Sequence, residues 1–206
     1  MSYSLDPIEA NCYPGTSILI NKHDIHDADT LLYVEANLVS AKVALLEQRP
    51  MPGFFDFSHY KSVHRFLFED LYEWAGQIRT VNISKKGTRF CPFEQIEQQA
   101  ILIFERLRRQ KHFIGLKKKE FTSEITDFYC MTNNLHPFRE GNGRAQRAFV
   151  AQLIRHAEYD IDFADIDEDI LMIATIQSAG GVTDTLRQIF SETVHSSESD
   201  KLKGNK

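Results

Sequence analysis

No apolar run in the 206-residue chain reaches the length of a membrane span, and its polar N-terminus is not a signal peptide. The expectation is a cytoplasmic protein with no membrane partner. Cysteine is scarce: Cys12, Cys91 and Cys130 are odd in number, widely spaced and without a C-x-x-C pair. That excludes a disulfide framework and points to reduced thiols. Positive charge is also short, since the formal net charge is −5, which argues against nucleic acid as the main partner. The run Lys117 to Lys119 reads as a solvated loop. A P-loop string G-x-x-x-x-G-K-[ST] is missing, and Gly141-x-Gly143 has no third glycine at Gln146 and follows a helix rather than a strand, so a dinucleotide fingerprint fits poorly too. His23 and His26 have no clustered ligands beside them and read as surface histidines. No internal repeat or linker divides the chain. The organisation is one domain over 1–206, with a core over about 28–195 and a polar, fraying tail over 196–206.

What is present concentrates between Leu135 and Val150, LHPFREGNGRAQRAFV. Upstream, Phe121, Ile125, Phe128 and Leu135 keep the spacing of a helix with one buried stripe, ending near His136 because Pro137 disfavours the α region before it. Downstream, Ala145, Ala148, Phe149, Gln152 and Leu153 restart a helix from Asn142 or Gly143. The plan is helix, tight loop, helix. Gly141 and Gly143 allow positive φ and close approach of a ligand, and the N–H groups opening the next helix make an anion site. Arg144 and Arg147, three apart, share a face of its first turn and suit a di- or triphosphate. Glu140 belongs beside phosphate only with a cation between them, which points to Mg²⁺. His136 is the candidate base. A lone histidine, a Gly-x-Gly turn or an arginine pair is each ordinary, but together within twelve residues they serve one geometry.

The other elements are less specific. A helix from Asp29 to about Gln48 carries Leu31, Leu38, Val39, Val43, Leu45 and Leu46 and stops at Pro50, Pro52 and Gly53. Asp56 caps a second, reaching about Trp74 on Tyr60, Val63, Leu67 and Leu71, in which His59 and His64 lack metal-ligand spacing. Thr80 to Ser84 alternates with Val81 and Ile83 on one face, and a turn over Lys85 to Thr88 leads to Arg89 and Phe90: a short β-hairpin. After Pro92, Ile96, Ala100, Ile103, Phe104 and Leu107 mark a helix ending among Arg108, Arg109 and Lys111. Ile166, Ile170, Ile173 and Ala174 form another, and Val182, Leu186, Ile189, Phe190 and Val194 the last, parted by Gly180 and Gly181. Residues 1–26 read as an ordered, irregular arm.

The string HPFREGNGRAQR resembles the defining motif of the Fic family, HPFx[DE]GNGRxxR, at all nine specified positions, and the similarity extends through LYEWAGQIRTVNI (71–83) and RFCPFEQIE from Arg89. The resemblance implies an all-α, Fic-type helical bundle of six to eight helices with a β-hairpin flap. It implies transfer of AMP from ATP to a Ser, Thr or Tyr hydroxyl of a target protein. His136 then deprotonates the hydroxyl, Glu140 holds Mg²⁺, Gly141, Asn142 and Gly143 cradle phosphates, and Arg144 and Arg147 bind the β- and γ-phosphates. The flap residues Val81, Asn82, Ile83, Ser84 and Lys85 hold the target by strand addition. A Doc-like kinase reaction is the alternative within the family, but Doc-like proteins typically carry Lys where Gly143 stands. A catalytically inactive binding module is the alternative outside it, and would not need His136 and Glu140.

Self-inhibited relatives carry an [ST]xxxE[GN] helix, and no such string occurs in residues 1–50 or 150–206. By resemblance to the toxin half of bacterial toxin–antitoxin pairs, a small helical antitoxin is expected to supply the inhibitory Glu, meeting an exposed Arg147. A type II topoisomerase ATPase subunit is the implied target.

Overall fold

Three of the helices begin at short acidic caps. In the computed structural model, which describes residues 4–6 (as backbone), 11–85 and 87–197, strand β1 (Ser4–Asp6) precedes helix α1 (Ala28–Gln48). The Asp27 carboxylate caps α1 by accepting from the Thr30 N–H at 2.8 Å, and Asp56 caps α2 (Phe57–Phe68) through the His59 N–H at 2.7 Å. Helix α2 stops at Phe68, short of the expected Trp74. The apolar stripe continues through buried Leu71, but the backbone folds into successive turns: Tyr72 stacks on Trp74, with centroids 4.4 Å apart. The Gly76 N–H then donates to Nδ1 of His64 at 2.9 Å, drawing the segment back onto α2.

Strands β2 (Asn82–Lys85) and β3 (Thr88–Arg89) form the expected hairpin, antiparallel with Ser84 opposite Arg89 and Lys85 opposite Thr88. Val81 and Ile83 face inward at 8% and 4% exposure while Asn82 is exposed, the alternation seen in the sequence. The arm at the N-terminus is more regular than expected. Strand β1 pairs with β2, Leu5 opposite Ile83, to give the order β1-β2-β3, and Cys12 bridges to Leu19. Strands this short leave no period to detect.

Helices α3 (Ile96–Arg109), α4 (Lys118–Leu135) and α5 (Asn142–His156) follow, then β4 (Tyr159–Asp160), α6 (Glu168–Ala179), α7 (Asp184–Thr193) and β5 (His195–Ser196), which pairs with β4. The described residues thus hold seven α-helices and two small antiparallel sheets, the mostly helical architecture expected. Ser196 is ordered in β5, and the rest of the expected tail from 198 lies outside the described residues. No cysteine is in a disulfide. Among the described residues no helix is long and apolar enough to cross a membrane.

Helices α4 and α5 are the centre of the bundle. Phe121 and Ile125 on α4, and Val150, Leu153 and Ile154 on α5, are fully buried, and Phe149 meets Tyr60 and Phe104 edge-on. Burial of side chains of this size contributes about 1.5–3 kcal/mol each. The loop that joins these two helices, from His136 to Gly141, is thereby suspended between two of the best-anchored elements of the fold.

Candidate active site

At the start of the loop, His136 ends α4 in the left-handed region (φ 41°, ψ 61°). Its side chain is turned inward at 7% exposure. Nδ1–H donates to the Asn133 carbonyl at 3.0 Å, a tautomer that leaves Nε2 as the basic nitrogen. The Phe90 ring from the hairpin lies flat on the imidazole, with centroids 3.7 Å apart at 8°. Burial pushes the imidazole pKa down to about 3; the Asn133 carbonyl opposes this, and the cations of Lys85 and Arg79 add to it. His136 is therefore neutral at physiological pH, the form a base must have.

The far end of the loop is built for an anion. Gly141 has φ 76°, and a Cβ there would stand 2.2 Å from the Phe68 ring, so both backbone conformation and packing require glycine. Gly143 differs from expectation: it is helical, and the nearest protein atom to a Cβ would be Arg147 Nη1 at 3.5 Å. Protein packing does not demand a glycine at Gly143, which lines the cleft beside His136. Helix α5 opens without a side-chain cap, unlike α1, α2 and α6, so its first amides keep their anion-binding capacity. Asn142 serves the loop itself: its side chain donates to the Phe138 carbonyl and accepts from the Phe138 N–H, both at 2.8 Å. Only its backbone belongs to the anion ring.

The two arginines part company. Arg144 Nη2 donates to Glu35 of α1 at 2.5 Å and lies 3.8 Å from Glu140; Tyr72 donates to the other oxygen of Glu35. Arg147 is half-buried rather than exposed, and faces the cleft with Tyr129 and Gln146. Glu140 accepts the Gly141 N–H at 2.9 Å, and burial raises its carboxyl above the ordinary range against the pull of that N–H and of Arg144. A largely buried carboxylate next to an uncapped helix N-terminus fits Mg²⁺, a hard cation held by one or two carboxylates plus phosphate oxygens.

The cleft runs from this polar end, His136, Gly143, Arg147 and the flap residue Lys85, to an apolar wall of Leu171, Met172 and Ile176 on α6. The five flap residues do not all face it. Lys85 does, whereas Val81 and Ile83 pack inward, and the edge of β2 opposite β3 carries β1 at Asn82, Ile83 and Ser84. The edge available for strand addition is accordingly already covered by the chain's own residues 4–6.

Four supporting residues escaped the sequence reading. His64 is fully buried between Phe138 and Phe68; its Nε2–H donates to the Glu140 carbonyl at 2.9 Å, and burial pushes its pKa down to about 3. Glu35 and Tyr72 hold Arg144, and Arg79 holds the carbonyl of His136. Their partners lie 37 to 109 residues away, and no local pattern encodes such pairings. Arg139, the unspecified position of the motif, points away from the cleft to Cys12 Sγ at 3.4 Å.

Comparison with known proteins agrees with this geometry. The sequence profile of the Fic/DOC family matches residues 54–154. The probable protein adenylyltransferase Fic of Escherichia coli (strain K12) is 34% identical over 182 residues, 88% of this chain and 90% of that protein. Protein adenylyltransferase VbhT of Bartonella schoenbuchensis is 38% identical over 173 residues, 84% of this chain and 36% of its own. Among solved structures, BepC of Bartonella tribocorum with bound AMPPNP superposes with a TM-score of 0.86 at 27% identity, covering 91% of this chain and 97% of that one. The N-terminal Fic domain of a Bartonella quintana protein with bound ADP gives 0.89 at 27% identity, covering 94% and 98%. Motif loop, helical frame and a relative 34% identical along 90% of its own length agree: the chain belongs to the Fic family.

Proposed function

We propose that this cleft transfers AMP from ATP to a hydroxyl of a protein target, in the cytoplasm. The observation that carries the reading is that a neutral histidine, a helix N-terminus without a side-chain cap and a half-buried arginine line one cleft. The relatives named protein adenylyltransferases support the same activity, and the chain is an enzyme of that class.

Nε2 of His136 takes the proton of the target hydroxyl as its oxygen attacks the α-phosphorus; the bond from that phosphorus to the bridging oxygen breaks and pyrophosphate leaves. Once the Gly141 N–H turns from Glu140, the amides at Gly141, Asn142 and Gly143, with Arg144 and Arg147, stabilise the β- and γ-phosphates, the larger electrostatic contribution. A triphosphate also offsets the cations around His136 and raises its basicity toward the working pH. Glu140 would hold Mg²⁺, which neutralises phosphate charge when bound. The apolar wall of α6 takes the nucleobase.

A target segment reaches the hydroxyl-attack position along the hairpin at Val81 to Lys85, displacing residues 4–6. Type II topoisomerase ATPase subunits are the targets to test first. The hollow between α1 and α5, which Arg144 and Arg147 both line together with Val39, Val43 and Ala148, suits an apolar helix of a small antitoxin whose Glu pairs with Arg147. The test is incubation with ATP, Mg²⁺ and a lysate, with mass spectrometry of the labelled proteins. AMP on Ser, Thr or Tyr, lost with His136→Ala, is the expected result; no AMP-modified protein from the wild type contradicts it.

A further inference from the structure

Arg79 is a buried cation, 4% exposed, at the foot of the hairpin. Its guanidinium donates to three backbone carbonyls from three segments. Nε reaches His136 at 2.8 Å, Nη1 reaches Val81 at 2.7 Å where the hairpin departs, and Nη2 reaches Cys91 at 2.5 Å where it returns. The backbone repeats the tie. The Arg79 N–H donates to the Pro137 carbonyl at 2.9 Å, and the Cys91 N–H to the Asn134 carbonyl at 2.9 Å. Both ends of the hairpin and the residue that ends α4 thus meet at one planar fork.

A left-handed, non-glycine residue persists only where its surroundings hold it there, and His136 at φ 41° is such a residue. We infer that Arg79 is a positioning residue: it fixes the His136 backbone and the two feet of the hairpin relative to one another, so that base and target strand approach the cleft in register. This rests on His136 being the base of the proposed transfer. Only an arginine has the rigid, planar set of donors that can serve three carbonyls at once; a lysine places one charge and reaches fewer.

Two whole-chain variants test it. Arg79→Lys keeps the cation and loses the fork, whereas Arg79→Gln loses both. For Arg79→Lys the expected result is a fall in kcat of about 10²-fold, the cost of a misplacement of about 1 Å, with ATP affinity unchanged. Amide hydrogen exchange on the protein alone should accelerate together at the hairpin, 82–90, and at the amides of His136 and Phe138, while α5 and α7 stay protected. Charge supplies a readout that a packing role would not move. The groups facing His136 are the cations Lys85 and Arg79 and the Asn133 carbonyl, with Arg147 and Glu168 farther along the cleft wall. Removing one cation raises the imidazole pKa, so Arg79→Gln should move the acid limb of the pH–rate profile to higher pH, and Arg79→Lys should leave it in place. Wild-type kcat and hairpin protection in Arg79→Lys would overturn the inference, as would loss of ATP affinity in step with kcat or exchange spread through α5 and α7. If the wild type transfers nothing, the reading of the activity fails, and the exchange result still judges the coupling.

Discussion

The motif loop and the hairpin both line one cleft, where Phe90 stacks on His136, and they are held in different ways. The loop is held from within and from α2: Asn142 is bonded twice to Phe138, Glu140 is bonded to the next amide, Gly141 takes the bend against Phe68, and His64 donates to the Glu140 carbonyl. The hairpin is held from outside as well, by Arg79 at its feet and by β1 along its edge. The difference suits the walls to the work proposed for them. A wall that binds a fixed polyanion gains from rigidity, whereas a wall that admits different strands must part from what covers it.

Variants can break that contrast. The largest effect is expected at His136, which stands between the walls. His136→Ala should lower kcat/KM for target modification by about 10²- to 10⁴-fold, the usual contribution of a general base, and leave ATP affinity intact; wild-type labelling would remove it from the reaction. Next is the loop wall. Arg147→Ala should weaken ATP binding by roughly 10- to 100-fold, since a charge-assisted hydrogen bond contributes about 1.5–3 kcal/mol. Arg144→Ala should weaken it less, because Glu35 already engages that arginine. Equal losses in titration calorimetry would erase the distinction between the two arginines.

The flap wall gives a smaller effect of opposite sign. Removing residues 1–6 uncovers β2 and should speed target modification several-fold, since the displaced pairing involves only three residues and is on the order of 1 kcal/mol. ATP affinity should not change; an unchanged rate would mean that targets approach by another edge. The smallest effect is on stability. The His64 pKa is depressed in the fold, so its contribution is complete above the unfolded value near 6.5 and is lost as pH falls toward about 3. His64→Gln should therefore flatten the decline in melting temperature over that range, and a slope identical to wild type would contradict the assignment.

The site was legible in the sequence where its residues are neighbours. Helix, loop and helix around His136, the cap at Asp56, and the inward faces of Val81 and Ile83 all follow from spacing and local chemistry. The end of α2 was misjudged because its apolar stripe runs on past the point where Gly76 and His64 turn the chain. Strand β1 is too short for a pattern, and its partner lies far along the chain. Glu35, Tyr72, His64 and Arg79 share that property: each acts through a partner dozens of residues away, and a buried polar residue in a helix looks in sequence like a solvated one.

The central claim, adenylyl rather than phosphoryl transfer, is tested most directly with ATP labelled at either the α- or the γ-phosphate, incubated with the protein, Mg²⁺ and a lysate. Label should reach protein from the α position alone, and His136→Ala should abolish it. Label from the γ position would contradict the account and assign the cleft to a kinase reaction with ATP bound in reverse.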